Sequence, residues 1–325
     1  MRPSPFTLLV AACASFVTGC ASSNEQRQQE GSSANGSREA ARGSDTHPDW
    51  SPDGARVAFI SNREGVRVGR AINFEVYRIA ADGSGETRLT TNQEFEADVA
   101  WSRDGSVLVF KSFRDGNDEI YAMDAEGGQQ RNLTNSPASD GGPSWSPDGA
   151  TIVFHSDRGD PGGEGPVTRL FLMNADGSNV RPFPGDPGPG HSPHWSPDGR
   201  RIAFVSARDG NAEIYVMDRG GSNVRRLTND PRENGYPRWS PDGNTIAHTA
   251  GSFETDRWVV TLMDADGGNP RQVIDDADSG NVAWSPDGTR LLFGRYLRYG
   301  DNGGEESRLH VLDVNSGVIT PFPGP

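Results

Sequence analysis

The chain has 325 residues, with 45 acidic against 31 basic side chains and a net charge of −14. Such a surplus repels phosphate backbones and anionic headgroups, so nucleic acid and acidic lipid surfaces are excluded as expected partners. Cys13 and Cys20 are the two cysteines; a body of this size without disulfides must rest on its apolar core.

In chain order, residues 1–20 read as a targeting segment. Arg2 gives a positive start and Phe6–Val17 is apolar but too short to span a bilayer. It ends in Val17-Thr18-Gly19-Cys20, a pattern that resembles the bacterial lipoprotein signal, with Cys20 the lipidated first residue of the mature chain. A lipid there holds a protein on a membrane, not through it. Ala21 follows, not Asp, which in a Gram-negative host predicts the outer membrane, facing the periplasm. Residues 21–45 are rich in Ser, Gln, Asn and Gly and predict a disordered tether. Its root-mean-square reach is roughly 25–30 Å.

From residue 46 to 325 one pentapeptide organises the sequence. Trp-Ser-Pro-Asp-Gly stands at Trp50–Gly54, Trp145–Gly149, Trp195–Gly199, Trp239–Gly243 and Trp284–Gly288, and Trp101–Gly105 carries Arg103 in place of Pro. The Trp intervals of 51, 44, 50, 44 and 45 residues mark a repeat architecture. Pro sets φ, Asp bonds its own backbone and Gly accepts positive φ, so each copy is a turn. Alternating apolar runs follow, such as Arg56–Ile60, Thr151–Phe154 and Arg201–Val205, and predict strands. Glu-Ile-Tyr runs at 119–121 and 213–215 predict third strands, and short runs such as Arg226–Thr228 predict fourth strands. Four antiparallel strands per repeat, six times over, predict an all-β six-bladed β-propeller, with no substantial helix.

Residues 192–228, SPHWSPDGRRIAFVSARDGNAEIYVMDRGGSNVRRLT, resemble the propeller repeat of the TolB family nearly position for position. The resemblance covers the repeats from about residue 46 and has no counterpart of the α/β domain that precedes the propeller in TolB itself. It implies a ring whose first strands line a central channel. Similar repeats occur in binding propellers and beside peptidase domains, so the motif specifies the fold more than the chemistry.

In such a ring the Pro-Asp-Gly turns occupy one face, and the segments leading into each Trp, with the loops after each second strand, occupy the other. Those loops are long at Asn62–Asn73, Asp157–Thr168 and Tyr296–Ser307, and loops carry function. The candidate binding residues at this channel mouth are His47, Asp98, Asp140, His191, Glu233, Tyr236 and Asp278, with Arg114 and Arg208 beside them. A polar mouth of this kind suits a peptide, a sugar or a cation.

No Gly-x-Ser-x-Gly elbow, His-Glu-x-x-His or cysteine cluster is present. His191 and His194, three apart on a strand, are expected on opposite faces and so to chelate poorly. Asp115–Glu119 touches on calcium chemistry but lacks the loop spacing of a calcium site, so no cofactor or metal is expected beyond a weakly held calcium ion. No catalytic set emerges. The expected function is therefore a monomeric, lipid-anchored envelope module that binds a protein or peptide. The alternatives are a propeller enzyme acting on a carbohydrate or lactone through His47 or His191 with mouth carboxylates, and a passive envelope scaffold.

Overall fold

The structure, a computed structural model, describes residues 43–63, 67–68, 71–158, 167–252, 257–278, 280–299 and 304–323. The signal segment, Cys20 and nearly all of the 21–45 tether lie outside the described residues, as do parts of the three long loops. Every regular element described is a β-strand or bridge.

Each repeat folds around its Trp-anchored turn. In repeat one, Asp45–Trp50 pairs with Arg56–Ser61, which pairs with Glu75–Ala80, which pairs with Thr87–Arg88. The turn holds itself together: Ser51 Oγ donates to Asp53 at 2.5 Å, and Asp53 accepts the Ala55 N–H at 3.0 Å. The same Ser–Asp bond recurs at Ser102–Asp104, Ser146–Asp148, Ser196–Asp198, Ser240–Asp242 and Ser285–Asp287. The hydroxyl holds each carboxyl below its ordinary value, to about 2 at Asp104 and Asp287. Much of the acidity of the chain is thus turn chemistry, not ligand chemistry.

The expectation of a six-bladed propeller is corrected: the described residues give four separate four-stranded blades in the ring, not six. Repeats one to four supply these blades, with four strands each as expected. Repeats five and six share one eight-stranded sheet. The reason lies in two strand lengths. Fourth strands of repeats one to four are two residues long, whereas that of repeat five, Arg271–Ala277, has seven. Conversely, the first strand of repeat six is cut to Ala283–Trp284, which exposes an edge of the long second strand Arg290–Tyr299. Ala277 pairs with Arg295 across that edge, and the Asp278 N–H donates to Gly294 O at 2.9 Å. Instead of ending in a loop at Tyr296, repeat six runs on into a hairpin with Gly304–Asp313.

From repeat one to repeat five each junction has one main-chain bond, donated by Glu96, Asp140, Gly190 or Asn234 to Phe74, Asp118, Thr168 or Ala212 of the preceding repeat, and side-chain packing adds to it. One apolar cluster joins Val153, Leu170 and Phe183 of repeat three to Trp195, Ile202 and Phe204 of repeat four. Another joins Trp50, Val57 and Phe59 of repeat one to Ala283, Leu292 and Leu309 of repeat six, which closes the ring. Arg290 stacks over Trp50 across the same seam, its guanidinium carbon 5.0 Å from the ring centroid. Residues just before the first strand add to the closure: the Ser307 N–H donates to Ser44 Oγ at 3.2 Å, and Arg308 lies 3.5 Å from Asp45. Close backbone approach between repeats explains one glycine. Gly177 has φ +88°, and a β-carbon there would stand 2.8 Å from Leu133 O of the preceding repeat. Gly317, in the one-residue-longer turn of repeat six, meets nothing within 4 Å.

One core position departs from the repeat. Second-strand Phe59, Phe110, Phe154, Phe204 and Phe293 each lie against an aromatic ring on the third strand. In repeat five the pair is His248 opposite Thr261, both buried. Burial pushes the His248 imidazole down to about 4. It binds a proton in the unfolded chain below its ordinary value of 6.5 but not in the folded one. The stability linked to it is therefore complete above about pH 6.5 and is lost as pH falls towards 4. Between pH 7 and pH 5 the parent chain should lose about 2 kcal/mol more than His248→Leu, measured by urea unfolding at both pH values. Equal losses would disprove the assignment.

Candidate functional site

The first strands of repeats one to five all slip register three residues before their Trp, between pairs such as Thr46/Asp49 and His191/His194. A bulge of this kind re-aims side chains. Its key residue has positive φ in every case: His47 at 48°, Asp98 at 52°, Gly142 at 57°, Ser192 at 48° and Tyr236 at 49°. Gly142 shows that the bulge itself asks only for glycine. His47, Asp98, Ser192 and Tyr236 keep side chains there despite the steric cost of the left-handed region.

Three of those side chains, His47, Asp98 and Tyr236, converge. His47 Nε2 lies 3.5 Å from Asp98 Oδ1, and both side chains are 16 % exposed. The His47 ring meets Tyr236 edge-on at 5.7 Å, so repeat one touches repeat five across the shortened first strand of repeat six. Asp98 Oδ2 accepts the Gly142 N–H at 3.3 Å. His155 and His191 lie edge to face at 6.1 Å, and His155 Nδ1 accepts the Ser192 N–H at 3.4 Å. Asp278, whose Oδ2 accepts from Ser307 at 2.8 Å, faces His47 from repeat six. The site thus draws side chains from all six repeats.

Its electrostatics follow from burial among a few charges. Burial pushes His155 down to about 3 and His191 down to about 4, so both imidazoles are neutral at pH 7. Burial also lowers His47, against the pull of Asp98 and Asp278. For Asp98, burial acts upward, but Lys111, His47, His155 and Arg238 outweigh it and hold the carboxyl below its ordinary value. Burial raises Asp278, and pushes Asp49 up to about 6. The mouth therefore presents an ionised Asp98 among neutral imidazoles, a phenol and two cations. Among the described residues, no three His, Cys, Asp or Glu side chains stand together as a metal site.

Of the residues picked out by sequence, His47, Asp98, His191, Tyr236 and Asp278 belong to this cluster. The other four do not join it. Arg114 pairs with Glu96 at 2.9 Å and Asp140 pairs with Arg158, both within a repeat. Arg208 donates to Ser206 Oγ at 2.9 Å and Pro189 O at 3.1 Å. Glu233 accepts the Ala212 N–H at 2.8 Å and so ties repeat five to repeat four. Strand alternation does not separate His191 from His194, because the bulge lies between them; His194 Nδ1 accepts the Trp239 N–H at 3.4 Å.

Sequence reasoning missed Lys111, His155, Arg238 and Asp49. Lys111 and His155 occupy a second-strand position that is Ile60 in repeat one and Val205 in repeat four. The column continues as Thr249 and Gly294 in repeats five and six, so the signal is two ionisable side chains where the other repeats have Ile, Val, Thr or Gly.

The comparisons with known proteins agree with this architecture. The putative TolB of Agrobacterium tumefaciens is similar over 78% of this chain and 91% of its own, with 26% identity and a TM-score of 0.64. TolB of Acinetobacter baumannii is 21% identical with a TM-score of 0.65, over 85% of this chain and 62% of its own. Oligogalacturonate lyase of Vibrio parahaemolyticus, 14% identical with a TM-score of 0.56 over 86% of this chain and 78% of its own, shares the fold alone. No curated protein matches the chain. Residues 96–183 and 163–318 match the TolB beta propeller domain, and the chain belongs to that family.

Proposed function

We propose that the protein is a binding module that holds a protein or peptide of the bacterial envelope at the channel mouth. One observation carries the reading: three side chains, His47, Asp98 and Tyr236, are kept at left-handed positions where glycine suffices, and they meet one another. Surrounding neutral imidazoles and buried carboxylates suit hydrogen bonding to an extended main chain. The signal-like segment ending at Cys20 supports an exported protein held by lipid on the outer membrane, facing the periplasm.

A photoreactive phenylalanine analogue in place of Tyr236 should cross-link a discrete envelope protein in intact cells, and the same analogue at the distal turn residue Asp198 should not. Asp98→Asn should lower that yield about tenfold, the loss expected for an interface hot spot. Equal cross-linking from both positions would refute the reading. The His47–Asp98 pair favours a second reading, hydrolysis or elimination on a carbohydrate or lactone with His47 as base. Turnover on a glycan and ester panel that disappears in His47→Gln would support it over the first.

A further inference from the structure

Beside the mouth, between repeats one and two, lies an aromatic shelf that the repeat does not require. Phe74 and Phe95 meet edge-on at 5.6 Å, and the Phe113 N–H donates to Phe95 O at 3.0 Å. Phe95 and Phe113 continue the ladder one rung beyond Glu96 and Ser112, so their side chains leave on the same side. Phe113 is 42 % exposed and, with Val318, one of two exposed large apolar side chains among the described residues.

In repeats three and four the equivalent positions are small or polar, whereas Trp258 of repeat five stands where Phe74 does and Tyr296 of repeat six where Phe113 does. Ser44 and Ser139 stand where Phe95 does, accepting from Asn62 and Asp157, which stand where Phe113 does. Asp118 and Ala212 precede Glu119 and Glu213 as Phe74 precedes Glu75. The template thus puts no phenylalanine at any of these sites, yet three gather here.

Charge around the shelf is one-sided. Glu94 and Asp115 are exposed, and the half-buried Asp98 lies two residues beyond Glu96. The two cations present are already engaged, Lys111 with Asp118 at 3.5 Å and Arg114 with Glu96 at 2.9 Å. Lys111 also lies 5.7 Å from the centre of the Phe95 ring.

We propose that this shelf seats an apolar or aromatic side chain of a basic, extended peptide segment whose neighbouring residues reach the mouth at Asp98. Apolar area offers the anchor, and the surrounding carboxylates select a cationic flank. The placement of the far end rests on the mouth reading above; the shelf itself does not.

The test uses the full chain and three fluorescein-labelled probes, Lys-Phe-Lys-Phe-Lys, Lys-Ala-Lys-Ala-Lys and Glu-Phe-Glu-Phe-Glu, read by fluorescence anisotropy. Only the first should bind measurably, and Phe113→Ser should weaken it about tenfold with the thermal melt unchanged. Equal affinity in parent and Phe113→Ser overturns the shelf, as does equal binding of the alanine or glutamate probe. Loss in Asp98→Asn alone also overturns it while leaving the mouth reading in place. Self-association of the parent chain that Phe113→Ser abolishes would assign the shelf to a second copy, against the proposal.

Discussion

Phe204→Ala should cost about 3–5 kcal/mol of folding stability. Phe204 is fully buried and lies tilted against Tyr215 at 5.8 Å, with the Arg208 guanidinium 5.4 Å from its centre. It also belongs to the cluster joining repeats three and four. Truncation removes the ring from one blade and from the junction with the next, and a pleated sheet collapses poorly into the gap. The melting temperature should fall by at least roughly 6 °C at this chain length. Phe204→Leu keeps most of the volume and should cost about 1.5 kcal/mol or less. Urea unfolding measures both, and a loss under about 1 kcal/mol for the alanine variant would contradict the packing described.

Glu213→Ala should be the next most damaging single change, at about 2–4 kcal/mol. The carboxylate is fully buried and accepts from Arg226, Thr228 and, at 3.1 Å, Asn234 of the next repeat. Deleting it leaves the Asn234 amide with only its bond to Arg232 O at 3.1 Å, and the Arg226 guanidinium with its bond to Thr228 O at 2.6 Å and the more distant Asp209. Arg226 is about one-quarter exposed, so water softens the loss on that side and the figure lies below that for a wholly buried pair. Glu213→Gln keeps an acceptor for Thr228 and should cost about half as much. Equal stability of Glu213→Ala and the parent chain would show that the network contributes nothing.

Much of this molecule is legible in sequence because its strands repeat local chemistry. Trp, Ser-Pro-Asp-Gly and the alternating run after it specify a hairpin six times, and each hairpin forms. What escaped is non-local. Whether repeats five and six stay apart depends on Ala277 meeting Arg295, and nothing in the stretch between them announces that encounter. The site divides in the same way. His47, Asp98, His191, Tyr236 and Asp278 stood out because they precede a Trp or mark the mouth. Lys111 and His155 lie inside strands that read as core, and only the ring turns them towards the same place. Arg114, Asp140, Arg208 and Glu233 looked like mouth residues but are taken up by partners in their own or adjacent repeats.

The bridge at Ala277 gives the disc one riveted joint. Each junction from repeat one to repeat five has a single main-chain bond, such as Glu96 N–H to Phe74 O at 3.0 Å; here a strand pairing merges two sectors into one sheet. Tyr236 therefore stands on the sheet that two repeats share, whereas His47 and Asp98 each stand on a blade of their own.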